Sequence, residues 1–152
     1  MHFKHNNKDK SAFVDDGQNL LDFLRRDLGD LTVKYGCGQG TCGACTILIN
    51  GNPCISCLTL AEDINEQNVE TIAGLNNNGN LHPLQKAFMD NFAAQCGYCT
   101  TGMIMSAKAL LNKNPRPSKE EIIDAISGNI CRCTGYEAII NAIMDVSNKN
   151  NV

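Results

Sequence analysis

Eight of the nine cysteines in this chain stand in two groups of four, and their spacing constrains everything that folds around them. The first group reads Cys37-x4-Cys42-x2-Cys45 and closes with Cys57, eleven intervening residues later. The second joins Cys96-x2-Cys99 to Cys131-x-Cys133. A 2Fe–2S cluster takes four thiolates, two for each iron, so eight cysteines supply two clusters and leave one thiol over. Glycines crowd the same stretches: Gly36, Gly38, Gly40 and Gly43 in the first, Gly97, Gly102, Gly128 and Gly135 around the second. A backbone without Cβ atoms wraps closely on a flat anionic cluster and turns N–H groups toward its sulfurs. The histidines, His2, His5 and His82, all lie outside the cysteine groups, which argues against Rieske-type ligation.

Two other uses of cysteine fit less well. Disulfides are disfavoured by the odd count and by the polar stretch 1–10, which has no apolar core for a secretory signal. The expected compartment is the cytoplasm, where thiols stay reduced. Zinc would suit Cys96-x2-Cys99, but Cys131-x-Cys133 is too closely spaced for it, and Cys37-x4-Cys42-x2-Cys45 has the plant-type ferredoxin ligand spacing instead. No run approaches the roughly 18 apolar residues of a membrane span. Lys and Arg number 13 against 16 Asp and Glu, a net charge of −3 that argues against a nucleic-acid partner.

The residue pattern changes near residue 75. Before it lie short β-type runs. A hairpin is expected between residues 1–5 and 11–14. The spacing of Leu20, Leu21, Leu24 and Leu28 predicts a helix over residues 18–28, opened by Asp16 or Gly17 and ended at Gly29. Residues 46–49 read as a buried strand, Asn50-Gly51 as a hairpin turn, and residues 69–72 as a further short strand. Strands around one helix, with a loop carrying three cysteines, make a β-grasp. Residues 75–80 read as a linker. Beyond it, Leu84, Phe88 and Phe92 form a helical stripe after His82-Pro83. Met103, Ile104, Ala107, Leu110 and Leu111 form a second, in which Met103 and Met105 read as core. Residues 114–117 break it, Ser118-x-x-Glu121 is a capping box ahead of Ile122, Ile123 and Ile126, and Gly128 ends that helix. A last helix carries Tyr136, Ile139, Ile140 and Ile143. The expected architecture is α+β: a 2Fe–2S β-grasp domain over residues 1–75, then a four-helix 2Fe–2S domain over residues 76–152 with the second cysteine group between helix ends. If strand alternation holds at Cys54, its side chain faces away from that of Cys57 and packs as a small residue.

Four segments together resemble one family. Gly36-Cys37-Gly38-Gln39-Gly40-Thr41-Cys42-Gly43-Ala44-Cys45-Thr46 and Ser56-Cys57-Leu58-Thr59-Leu60-Ala61 are similar to the first-cluster segments of the molybdenum hydroxylases, the xanthine dehydrogenase and aldehyde oxidoreductase family. Gln95-Cys96-Gly97-Tyr98-Cys99-Thr100 with Gly102-Met103 resembles the second-cluster segment, and the run from Gly128 to Tyr136 resembles the closing one. The resemblance spans about residues 18–143. It implies a small iron–sulfur subunit and places Cys57, not Cys54, at the ligand position. It also implies a large molybdopterin-binding subunit, usually with a medium FAD-binding subunit. The inner, helical cluster would lie beside the pterin, with Gln95 and Cys133 near it, and the outer, ferredoxin-like cluster toward the flavin. On that reading the chain relays single electrons and carries no acid, base or nucleophile for hydroxylation. Thr101 stands where the family usually has proline. The main competing reading is a free-standing two-cluster ferredoxin, to which a net charge of −3 lends little support, since soluble carriers often dock through strong charge.

Overall fold

Two asparagine turns build the sheet. In the computed structural model, which describes residues 1–76 and 79–149, Asn6 and Asn7 have φ of 52° and 63°, and Asn50 and Gly51 have 50° and 78°. Left-handed backbone at both central positions is the signature of the tight two-residue hairpin turn, and Asn and Gly tolerate it best. The first turn joins β1 (His2–His5) to β2 (Lys8–Ser11), and the second joins β3 (Thr46–Ile49) to β4 (Asn52–Ile55). The first return strand therefore begins at Lys8, earlier than the expected residues 11–14, because the turn needs only two residues. β5 (Asn68–Glu70) pairs parallel with β1 and antiparallel with β3, giving the order β2-β1-β5-β3-β4. It stops short of the expected residue 72, since Ile72–Leu75 winds into a 3-10 turn. The two edges are blunted by exposed lysines on β2 and by Pro53 on β4.

α1 (Leu20–Asp22) runs on as a π-helical turn over Phe23–Asp27. Its cap is Asn19, whose Oδ1 accepts the Asp22 N–H at 2.9 Å, so the expected caps Asp16 and Gly17 lie upstream of the helix. Gly29, at φ 70°, ends it as expected. Leu20, Leu21, Phe23 and Leu24 are buried against Phe3, Ile47, Ile64 and Val69, so the sheet closes over one helix in a β-grasp. A buried carboxylate ties three parts of this layer together. Asp30 accepts from Thr71 Oγ1 at 2.6 Å and Thr32 Oγ1 at 2.5 Å, and its Oδ2 lies 3.1 Å from His5 Nε2.

The second half holds α2 (Pro83–Asp90), α3 (Thr100–Lys113), α4 (Lys119–Ile126) and α5 (Glu137–Asn148). Ser118 and Glu121 cap α4 reciprocally, as expected, and His82 with Gln85 does the same for α2. α2 packs on α5, and α3 on α4. Met103 and Met105 are core residues. Phe92 is not: α2 stops at Asp90, and Phe92 sits at φ 52° with 85% of its surface exposed. Tyr136 likewise precedes α5 instead of lying in it, at φ 72°. Of the expected linker, Asn77 and Asn78 lie outside the described residues.

β3 belongs to both layers. Its alternation sends Ile47 into the core around α1 and Leu48 into the core of the helices, where α3 lies across the strand. The first cysteine loop is therefore pressed against the helical half. Among the described residues, no helix is long and apolar enough to cross a membrane.

Candidate iron–sulfur sites

The loop between α1 and β3 carries Cys37, Cys42 and Cys45, and a 3-10 turn after β4, Ser56–Leu58, brings Cys57 to it. The Thr41 hydroxyl and the Gln39 N–H, 3.4 Å away, draw the Cys37 thiol down to a pKa of about 5, with Cys42 adding to the effect. Burial pushes the Cys57 thiol up to about 11, and the Cys45 thiol adds to the rise. In the helical half, Cys96 and Cys99 precede α3, and Cys131 and Cys133 lie between α4 and α5. Burial, helped by the Cys131 thiol, pushes Cys99 up to about 12. At Cys131 burial acts upward too, but the Thr134 hydroxyl at 3.2 Å and N–H at 3.4 Å outweigh it and the net shift is downward. Cys133 is raised by the Cys96 thiol, 3.6 Å from its own sulfur.

The eight thiols thus interact in four pairs: Cys37 with Cys42, Cys45 with Cys57, Cys96 with Cys133, and Cys99 with Cys131. The two pairs of each group feel each other's charge. Structural zinc wants four ligands around one point, whereas a 2Fe–2S cluster wants two thiolates at each of two irons. The donor set fits the second arrangement.

Cys54 stands apart from both groups. It is half-buried at the edge of the α1 core, with its sulfur 3.0 Å from the Thr59 hydroxyl. Thr101, in the first turn of α3, has a buried hydroxyl oxygen with no hydrogen-bond partner. Gln95 Nε2 donates to the Cys133 carbonyl at 3.2 Å, so these two residues share one exposed edge of the second group. Cys96 and Cys133 are the exposed cysteines. A cavity of about 210 Å³ is lined by Cys96, Cys99, Cys131 and Cys133 and also by Cys42 of the first group.

Sequence reasoning missed the residues that join the two groups. The Ile130 N–H donates to the Cys42 carbonyl at 2.9 Å. The buried Asn129 side chain donates to the Gly43 carbonyl at 2.9 Å and accepts from Ser106 Oγ at 2.8 Å. The Tyr136 hydroxyl accepts the Cys131 N–H at 2.9 Å and donates to the Asn129 carbonyl at 3.2 Å. Tyr98 OH donates to the Tyr35 carbonyl across the same seam. The available sequence signal was the glycine pair Gly43 and Gly102, each too close to its neighbours for a Cβ.

Comparison with known proteins agrees with this geometry. The 2Fe-2S iron-sulfur cluster binding domain family matches residues 3–73, and the 2Fe-2S binding domain family matches residues 71–144. The chain is 47% identical over 149 residues to the nicotine 6-hydroxylase small subunit of Paenarthrobacter nicotinovorans, covering 95% of this chain and 90% of the relative. It is 48% identical over 138 residues to the nicotinate dehydrogenase small FeS subunit of Eubacterium barkeri, covering 91% and 88%. Among solved structures, quinoline 2-oxidoreductase from Pseudomonas putida 86 superposes with a TM-score of 0.94 at 42% identity, covering 100% of this chain and 97% of that one. Two such domains in series define a two-cluster iron–sulfur electron carrier. With relatives this similar over nearly their whole length, the chain belongs to the iron–sulfur small subunits of the molybdenum hydroxylase family. It is an electron-transfer subunit of a multi-subunit molybdenum oxidoreductase.

Proposed function

We propose that Cys37, Cys42, Cys45 and Cys57 hold the outer cluster, and that Cys96, Cys99, Cys131 and Cys133 hold the inner one. Each cluster, when bound, takes up and gives back one electron. The division into domains falls near residue 75. Electrons enter through the inner group and leave through the outer, toward FAD on a further subunit. One observation supports this direction: the inner group holds the exposed cysteines, Cys96 and Cys133, beside Gln95, and all four of its cysteines line a cavity with Cys42 of the outer group. The exposed edge suits a docked molybdopterin subunit, and the shared cavity suits a handover within the chain. Tyr98 and Ile130, which line that cavity, and Phe92, four residues before Cys96, expose large apolar surface. Such surface beside a redox site is what an interface covers. The residues of this chain hold, orient and shield, and substrate chemistry belongs to the large subunit.

The compartment is the cytoplasm, on the strength of eight ligand thiols that must stay reduced. The two relatives above act, by name, on nicotine and nicotinate, and the matched structure on quinoline. We therefore favour a nitrogen heteroaromatic substrate for the complex. Expression of this chain with its partner subunits tests the reading. Stable co-elution, with bleaching of the iron–sulfur absorbance when nicotinate is added anaerobically, is the expected result. A stable monomer that shuttles electrons without partners would instead favour a free two-cluster carrier. Co-elution with bleaching by aldehydes alone would overturn only the substrate.

A further inference from the structure

Cys42 and Cys131, one from each group, stand 89 residues apart in the chain, yet one side chain is bonded to both neighbourhoods. Asn129 lies two residues before Cys131 and is only 3% exposed. Its Nδ2 reaches the Gly43 carbonyl, one residue past Cys42, at 2.9 Å, and Thr46 Oγ1 at 3.3 Å. Thr46 Oγ1 itself donates to the same Gly43 carbonyl at 2.7 Å. Asn129 Oδ1 accepts from Ser106 on α3, the helix that follows Cys99. The amide is therefore satisfied from three sides: the outer cysteine loop, the start of β3, and α3. The backbone beside it completes the join, since Ile130 N–H bonds the Cys42 carbonyl. That contact links a residue adjoining one Cys131 to the Cys42 ligand position through a single hydrogen bond.

The fit around this amide is close. A Cβ on Gly43 would lie 2.6 Å from Asn129 Nδ2 and 2.9 Å from Asn129 Cα, and a Cβ on Gly102 would overlap the Gly43 carbonyl. Interiors packed to this density transmit displacement instead of absorbing it. A buried carboxamide whose partners sit on separate segments also fixes their mutual register, because leaving any one unpaired costs its desolvation.

We propose that the Asn129 carboxamide, braced by Ser106, sets the separation of the two cluster sites and so acts as a positioning residue for the electron step between them. The step moves one electron from the inner site, which is oxidised, to the outer site, which is reduced. No bond is made or broken and no proton moves. This inference rests on the two-cluster assignment above, but it fails separately from it.

The test is low-temperature EPR of the full chain, iron-loaded and fully reduced with dithionite, where two nearby paramagnetic sites split each other's signals. Wild type should show both signals and the splitting. In Asn129→Ala, iron content and both sets of g-values should persist while the splitting is lost. Ser106→Ala, which removes one brace and leaves the Gly43 contact, should reduce the splitting. Ser127→Ala, which removes only a local surface contact to the Asp124 carbonyl, should leave it unchanged. A role limited to satisfying a buried carbonyl predicts lower stability with unchanged splitting, and that result in Asn129→Ala would overturn the proposal. If Asn129→Ala fails to take up iron, Ser106→Ala decides: unaltered splitting sinks the idea, and reduced splitting sustains it. Absence of one signal in the wild-type chain would be a failure of the two-cluster reading instead.

Discussion

Replacing Gly43 by alanine measures how tightly the outer cysteine loop is pressed against the helical half. Two separate penalties apply. Gly43 has φ +68°, and holding an L-residue in left-handed backbone costs about 1–2 kcal/mol. The new Cβ would also meet the Gly128 carbonyl oxygen, Asn129 Nδ2 and Asn129 Cα. Two of those atoms are backbone, so the strain cannot be relieved by swinging a side chain, and overpacking of this kind costs about 1–3 kcal/mol more. Gly17 provides the control: its φ is +72°, and a Cβ there meets nothing within 4 Å. Gly17→Ala carries only the backbone penalty. For a chain of this size 1 kcal/mol moves Tm by about 2–4 °C. Thermal melts of the iron-loaded proteins, followed by circular dichroism, should therefore place Gly43→Ala below Gly17→Ala by about 2–12 °C. If Gly43→Ala melts level with the control or above it, the close approach of the two halves is wrong.

Cys42→Ser should abolish the outer cluster's signal and keep the inner one, whereas Cys54→Ala should retain full iron; metal analysis with EPR checks both, and iron loss from Cys54→Ala would transfer the ligand role from Cys57. Phe92→Asn exchanges an exposed ring at positive φ for a residue that accepts that backbone. The isolated chain should melt no lower, while its affinity for the large subunit, read by titration, should fall by about 1–2 kcal/mol or more, as for a buried aromatic anchor. Asp30 has a carboxyl that burial would raise, but hydrogen bonds from His5, Thr32 and Thr71 outweigh burial and hold it well below the usual carboxylate range. Its contribution to stability is present above the unfolded value of about 3.9 and fades as pH falls toward the folded one. The Tm gap between wild type and Asp30→Asn should thus be constant above about pH 5 and narrow below about pH 4. A gap that widens in acid would refute the assignment.

What the sequence revealed of this fold follows physical lines. β3, the Asn50-Gly51 turn and the Ser118–Glu121 capping box rest on interactions between residues close in the chain, and they stand where the pattern placed them. Phe92 was misread because apolar spacing cannot register where a helix stops: its position continues the stripe of Leu84 and Phe88, yet the chain turns left-handed two residues past Asp90. The start of α1 was displaced because Asp16, Gly17 and Asn19 are all plausible caps, and only the pairing of Gln18 and Leu20 with the segment around Thr59–Ala61 selects Asn19. The pattern places β2 too late because Lys8 to Ser11 is a wholly polar edge strand with no alternation to read. Within the candidate site, the spacing marks out two cysteine groups, while the choice of Cys57 over Cys54 rests on the family resemblance. Asn129 was invisible as a linker of the groups, since its partners Gly43 and Ser106 are 86 and 23 residues away.

The central claim is that eight thiols hold two 2Fe–2S clusters in one relay. Iron and acid-labile sulfide per chain, determined together with EPR of the dithionite-reduced protein, test it most directly. Two 2Fe–2S clusters require about four irons and four sulfides with two distinguishable signals. Zinc in place of iron, or a single cluster, would contradict it.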